Sequence, residues 1–214
     1  MPGNKFIQDL HQVIDGSVSS FNSSIGSIQK DIYKEISVLL KELDTSGDTI
    51  KPTAKNISII GKIKAKIEKI VRSDAYNKNV KTFLGALDEI TNVQHEYFNS
   101  ITEDYSPSKA LSELKSQAID DALNSLKGAG ITANITEKLQ SILRTNVTSG
   151  ASYLSLMNQM RDYLTTNESG LGALEKYTKQ ITTDTLNQYA AQYNSLVSND
   201  LGLTWYHYTG ALID

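Results

Sequence analysis

The stretch that decides the fold is residues 6–43, FIQDLHQVIDGSVSSFNSSIGSIQKDIYKEISVLLKEL. Its apolar side chains recur with a mean spacing of about 3.7 residues, close to the repeat of an α-helix. They are Phe6, Leu10, Ile14, Val18, Phe21, Ile25, Ile28, Ile32, Ile36, Leu39 and Leu43. This spacing predicts one long amphipathic helix, or two helices joined at a bend near Gly16, because glycine lowers helix propensity. The polar turn at 44–48 is expected to end this segment.

The same spacing predicts further helices along the rest of the chain, so the expected fold is all-α. The second helix opens at Pro52 and Thr53, and its inward-facing residues are predicted to be Ile57, Ile60, Ile63, Ile67 and Ile70. The third begins near Asn79, and the fourth begins at Ser106 and Pro107 and stops at the glycines at 128 and 130. Shorter helices are predicted over about 133–148 and 152–165, and a longer one over about 171–198.

We place a domain boundary near residues 128–130. Residues 1–130 are predicted to form an elongated region of long amphipathic helices. Residues 131–214 are predicted to form a compact helical subdomain that ends in a short C-terminal β-strand. That strand is residues 203–210, LTWYHYTG, where apolar and polar side chains alternate. A lone strand leaves its backbone donors and acceptors without partners, so it is expected to pair with another subunit or with chain beyond Asp214.

Aromatic residues near the C-terminus are candidates for protein–protein contact. The predicted contact residues are Trp205, Tyr206 and Tyr208 in the strand and Tyr189 and Tyr193 in the last helix. Aromatic side chains are enriched at interfaces, which favours this interpretation. For the helix tyrosines the alternative is packing in the core against helices 133–165, and for the strand it is local packing.

Charge is unevenly distributed, although the net charge is only −3. Residues 51–81 carry nine basic side chains against Glu68 and Asp74, and the flanking segments are acidic. The candidate nucleic-acid contacts are Lys55, Lys62, Lys66, Lys69 and Arg72. A row of cations neutralises phosphates without reading base sequence, so contact with a nucleic acid is one expected role of these side chains. The alternative is a solvated face whose positive charges balance the negative charges of the neighbouring acidic helices.

Few residues are candidates for chemistry. There is no cysteine, so disulfides and thiolate zinc sites are excluded. The histidines at 11, 95 and 207 are scattered, and no nucleotide-binding or hydrolase motif is present. We therefore predict no catalytic residue, no metal and no cofactor, and a protein that is not an enzyme. No apolar run reaches 18 residues, so no membrane-spanning segment is expected, and no signal peptide is visible.

From residue 131 onward, the order of pieces resembles the phage head-morphogenesis family, the minor head proteins of the Mu F type. One such piece is a helix that ends in a glycine and is followed by a serine-capped short helix, here 142–154, ILRTNVTSGASYL. A second is 182–187, TTDTLN, where Thr182 and Asp184 replace the Arg and Glu of the family. The third is 202–210, GLTWYHYTG, which resembles the family's entry to a small β unit.

The resemblance implies a low-copy, non-catalytic structural protein of the virion, located in or near the head and in the bacterial cytoplasm during assembly. It implies portal or capsid subunits as partners, packaged double-stranded DNA as a further partner of the basic segment, and a role in head assembly or DNA delivery. Two alternatives stay open from the residues themselves. One is a self-associating helical scaffold or adaptor driven by the 6–43 helix, and the other is a helical module that binds DNA without sequence specificity.

Overall fold

A computed structural model describes residues 2–103, 105–168 and 170–203, with side chains described from Lys5 onward. The fold is all-α, as the sequence predicts. Helix α1, Pro2–Leu40, is continuous through Gly16, so the long segment is one helix rather than two. The periodic apolar residues from Leu10 to Leu43 are buried, and Phe6 packs partly buried against the core, which confirms the predicted inner face.

A small hairpin follows α1. Strands β1, Thr45–Ser46, and β2, Thr49–Ile50, pair antiparallel, with Thr45 opposite Ile50. Gly47 in the connecting turn has a φ of 59°, a left-handed conformation that glycine adopts without steric cost. The polar turn does end the first helix, but the pairing of its flanks was not predicted from the sequence.

The next two helices are α2, Ala54–Val71, and α3, Asp74–Ile101. Thr53 caps α2 by accepting a hydrogen bond from the Asn56 N–H. The prediction that Ile57 faces inward is wrong, because this side chain is 56% exposed. Asn56 takes the buried position instead, where its side chain bonds the backbone of Asp44 and Lys51. The inner face of α2 therefore runs through Ile59, Ile60, Ile63, Ile67 and Val71.

The second half contains α4, Lys109–Lys127; α5, Ala129–Ile131; α6, Glu137–Ser149; α7, Tyr153–Leu164; and α8, Ala173–Asp200. Helix α4 begins after Ser108, slightly later than predicted. The residues between α5 and α6, Thr132–Thr136, form one π-helical turn, so 129–149 is a nearly continuous helical segment. Its end at Gly150, with a φ of 65°, matches the predicted stop.

One hydrophobic core runs through the structure. Helix α8 packs against α1, α3 and α4, and α2 packs against α6. Residues on both sides of the predicted boundary near 130 contribute to this core. The boundary coincides with the break in helix at Gly128, but the helices on its two sides share their apolar interior. Of the predicted C-terminal strand, only Leu203 lies within the described residues.

Candidate functional site

Lys55, Lys62 and Lys66 lie on one side of α2, because spacings of seven and four residues bring side chains close to the same helical face, whereas Lys64 points away and pairs with Glu68 of the same helix. The side that carries the first three lysines faces the end of α1 and the residues that follow it. The ion pairs that join the two segments are Lys55 Nζ to Asp44 Oδ1 at 2.6 Å, Lys62 Nζ to Glu42 Oε2 at 3.3 Å, and Lys66 Nζ to Glu35 Oε2 at 2.7 Å. Three of the five candidate nucleic-acid contacts are thus paired with carboxylates of the same chain.

These pairs lower the pKa values of two of the carboxylates. The hydrogen bond from Lys66 holds the pKa of Glu35 below its ordinary value of 4.5, and the charge of Lys66 adds to the effect. The hydrogen bond from Lys55 likewise holds the pKa of Asp44 below its ordinary value of 3.8. The paired side chains are roughly half exposed, so solvent screens these interactions and each pair contributes little to stability. For Lys55, Lys62 and Lys66, the structure therefore matches the alternative interpretation, in which the basic face is solvated and its charges are balanced by acidic neighbours.

The remaining two candidates differ from the paired lysines. Lys69 and Arg72 are exposed, and neither forms an ion pair within 4.0 Å with the residues that the structure describes. Arg72 is the C-cap of α2, and the next helix starts two residues later. Two further exposed cations, Lys78 and Lys81, follow in the first turns of α3. The sequence contains this group within the basic run, but spacing alone does not separate paired cations from unpaired ones.

Tyr189 and Tyr193 lie inside the chain. They are 2% and 1% exposed, and their rings meet edge to face with centroids 6.2 Å apart. The Tyr189 hydroxyl is 2.6 Å from Thr91 Oγ1, and the Tyr193 hydroxyl bonds that of Tyr105. Burial raises the pKa of both phenols. In this conformation their rings contribute to the core and leave no surface for a partner, whereas Trp205, Tyr206 and Tyr208 lie outside the described residues.

The segment that carries the first part of the family resemblance is a joint between α6 and α7. Ser152 caps α7 by accepting a hydrogen bond from the Ser155 N–H at 3.2 Å. Asp48 of the hairpin also binds here, because its carboxylate accepts from the Ser152 hydroxyl and from the Leu154 N–H. The Ile50 N–H donates to the Ala151 carbonyl at 3.0 Å. The hairpin thus contacts the joint through Asp48 and through Ile50. The side chain of Leu154, next to the joint, is 64% exposed.

The described residues contain few groups arranged for chemistry. No group of three or more His, Asp or Glu side chains there is arranged to hold a metal ion. A groove of about 190 Å³ between α1 and α3 is lined mainly by small and polar residues, and Glu89 is the one acidic or basic side chain in its lining. General acid–base catalysis by a pair of side chains would need a second titratable group there. No helix in the described part of the chain is long and apolar enough to cross a bilayer.

Comparison with family models, curated proteins and solved structures finds no match to this chain.

Proposed function

We propose that this chain is a non-catalytic structural protein of a bacteriophage virion, of the minor head or head-morphogenesis type, which binds portal or capsid subunits. The observation that carries the proposal is the joint between α6 and α7. A helix ends at left-handed Gly150, and Ser152 caps a short second helix, in the order on which the resemblance rests. The resemblance implies assembly of the head or delivery of DNA as the role.

The architecture supports a role in binding rather than chemistry. Long helices with polar outer faces, such as α1 and α8, provide extended surfaces for contact along an assembly. The joint presents the exposed apolar side chain of Leu154 on a segment that is held in place by hydrogen bonds donated to the Asp48 carboxylate. A rigidly held apolar anchor suits a protein interface, because little conformational entropy is lost when it is buried by a partner.

The scaffold alternative has less support. It requires the apolar face of α1 to pair with another copy of the chain. Ile25 and Ile32 on that face are 0% and 1% exposed, and α1 packs against α2, α3, α7 and α8 within the chain. Self-association by this face would require the core to open.

The direct test is composition of the particle. Virions purified from a strain that encodes this chain are analysed by quantitative mass spectrometry, and the chain is expected in them at low copy relative to the major capsid protein. Its absence from both DNA-filled and empty particles would overturn the proposal.

A matched pair of variants tests the surface. Leu154→Asp is expected to fold normally and to lower incorporation into particles, because it places a charge on the proposed anchor. Val38→Asp is the control, since Val38 is also exposed, at 55%, but belongs to α1 and not to the joint. Equal incorporation of the two variants would exclude Leu154 from the interface.

A further inference from the structure

The turn between α2 and α3 carries a group of unpaired cations. Lys69 and Arg72 end α2, and Lys78 and Lys81 lie in the first turns of α3. All four are exposed, and among the described residues none forms an ion pair within 4.0 Å. Asp74 is the single acidic residue between positions 69 and 81. We call these four residues the corner cations.

The corner cations contrast with the lysines earlier in α2. Lys55, Lys62, Lys64 and Lys66 each have a carboxylate partner, the last three at 3.3, 3.8 and 2.7 Å. A phosphate that approached them would have to displace that partner. At the corner no ion pair within 4.0 Å has to be displaced, because the charge of Lys69 acts on the Glu35 carboxylate only at longer range and Asp74 forms no ion pair with the residues that the structure describes.

We propose that the corner cations bind the phosphate backbone of double-stranded nucleic acid, and that the paired lysines of α2 do not. A helix rises about 1.5 Å per residue. Measured along the helix axes from the turn, Lys69 and Arg72 therefore lie within about 6 Å on α2, and Lys78 and Lys81 lie within about 12 Å on α3. Several phosphates of a duplex fall within that span, because its charges are spaced about 1.7 Å apart along the axis. The proposal does not depend on the virion role.

The chemistry of the surrounding residues selects a duplex. Single strands are bound by stacking of bases on exposed aromatic rings. The one aromatic residue between positions 69 and 81 is Tyr76, which is 0% exposed and donates its hydroxyl hydrogen to the Leu126 carbonyl at 2.7 Å. Residues 69–81 therefore offer no exposed ring for stacking.

The same residues disfavour a membrane surface. Helical segments that bind anionic bilayers combine cations with apolar side chains that enter the headgroup region. The large apolar side chains that the structure shows exposed lie elsewhere, at Val38, Ile57, Ile101, Leu154, Leu171 and Leu203. Contact with a phosphate backbone needs only the positive charges and no apolar side chain that inserts into the ligand.

The test compares two variants of equal net charge in the full chain. The corner variant replaces Lys69, Arg72, Lys78 and Lys81 by Gln. The paired variant replaces Lys55, Lys62, Lys64 and Lys66 by Gln and removes the same number of positive charges. Binding of a short labelled DNA duplex is measured by fluorescence anisotropy between about 50 and 200 mM salt. Circular dichroism and thermal melting verify that both variants fold.

The wild-type protein is expected to show a slope of about −3.6 for the logarithm of the binding constant against that of salt concentration, since each phosphate contact contributes about −0.9. The corner variant is expected to lose roughly 100-fold or more in affinity and most of this slope, while the paired variant keeps the slope. A variant with Lys69, Lys78 and Lys81 replaced by Arg keeps the charges and is expected to bind.

Three results would overturn the proposal. The first is no binding of duplex by the wild-type protein at the lowest salt concentration. The second is an equal loss in the two variants, which would mean that net charge alone governs binding. The third is binding to phosphatidylserine-containing vesicles that the corner variant abolishes while duplex binding is unchanged, which would assign the corner to a membrane.

Discussion

The side-chain oxygen of Gln29, in the middle of α1, accepts a hydrogen bond from the backbone N–H of Glu175 in the first turn of α8, at 3.0 Å. Helix α8 begins after Gly172, which has no side chain to cap it. Gln29 therefore satisfies one of the unpaired N–H groups of α8 from a different helix. It is 2% exposed, so this bond lies inside the structure and ties the first helix to the last.

The contact between Gln29 and Gly172 is close enough to be tested by a double-mutant cycle. A methyl group at Gly172 would overlap the Gln29 side chain, although the φ of −64° at this position suits any residue. Gln29→Ala should lower the free energy of unfolding by about 1–3 kcal/mol, through loss of the cap and an unsatisfied N–H. Gly172→Ala should cost about 1–3 kcal/mol, because the Gln29 amide must move away from the new methyl group and give up its bond to the Glu175 N–H.

In the Gln29→Ala background, Gly172→Ala should be nearly neutral, because the obstructing side chain is gone. Urea denaturation of the four proteins measures the coupling, expected at about 1–3 kcal/mol. Additive effects would show that Gln29 is not what requires glycine at position 172.

Asn56 should be essential for the junction between the hairpin and α2. Its side chain accepts from the Asp44 N–H and donates to the Asp44 and Lys51 carbonyls, and the residue is 0% exposed. Asn56→Ala leaves buried backbone groups unpaired and should lower the free energy of unfolding by about 2–4 kcal/mol. Exposed Ser58→Ala on the same helix is the control, and an equal effect on both would contradict the role assigned to Asn56.

The ion pair between Glu35 and Lys66 should contribute to stability only above the acid range. The folded pKa of Glu35 lies below its ordinary value of 4.5, so the contribution is present above that pH and is lost as the pH falls through the folded pKa. Glu35→Gln should make the free energy of unfolding less dependent on pH between about 5 and 3.

Lys66→Gln should flatten the same profile, and the double variant should add nothing further, because both changes remove one interaction. Unfolding in urea at a series of pH values measures this. An unchanged profile in either single variant would show that the pair is not formed in solution.

Alkaline pH should destabilise the fold through its buried tyrosines. Burial raises the pKa of Tyr163 from 10.0 to about 12, and its hydroxyl donates to the Asn134 carbonyl at 3.1 Å. An unfolded chain loses this proton near pH 10, so stability is complete below that pH and declines as the pH rises towards 12. Tyr163→Phe should make the decline shallower in urea unfolding at pH 9 to 11. A slope equal to that of the wild-type protein would contradict the raised pKa.

Substitution of Ile32 tests whether this side chain belongs to the core of the single chain or to a self-association surface, as the scaffold alternative requires. Ile32→Asp places a charge at a position 1% exposed and should unfold the protein, since even truncation of a buried isoleucine costs about 2–5 kcal/mol. Val38→Asp, on an exposed part of the same helix, should leave the fold intact. Circular dichroism and sedimentation distinguish the outcomes, and a folded monomer from Ile32→Asp would support self-association by α1.

The sequence predicted which basic residues belong to the candidate site, but it did not predict which of them form ion pairs. The basic run at 51–81 is visible in the sequence, whereas the carboxylates that pair with Lys62 and Lys66 lie 20 and 31 residues earlier. No spacing rule connects residues so far apart, so paired and unpaired cations look alike in the sequence. Ile57 was misplaced for a related reason, since Asn56 becomes a buried residue only when the hairpin supplies its hydrogen-bond partners.

The sequence by itself determined the helices and several of their ends, because apolar spacing and caps such as Thr53, Ser152 and Gly150 act over a few neighbouring residues. Tertiary structure alone decided which polar residues lie inside and that both halves share one core. Those features depend on contacts such as that of Thr91 with Tyr189, 98 residues apart, and the energy of such a contact exists only once the chain has brought its partners together.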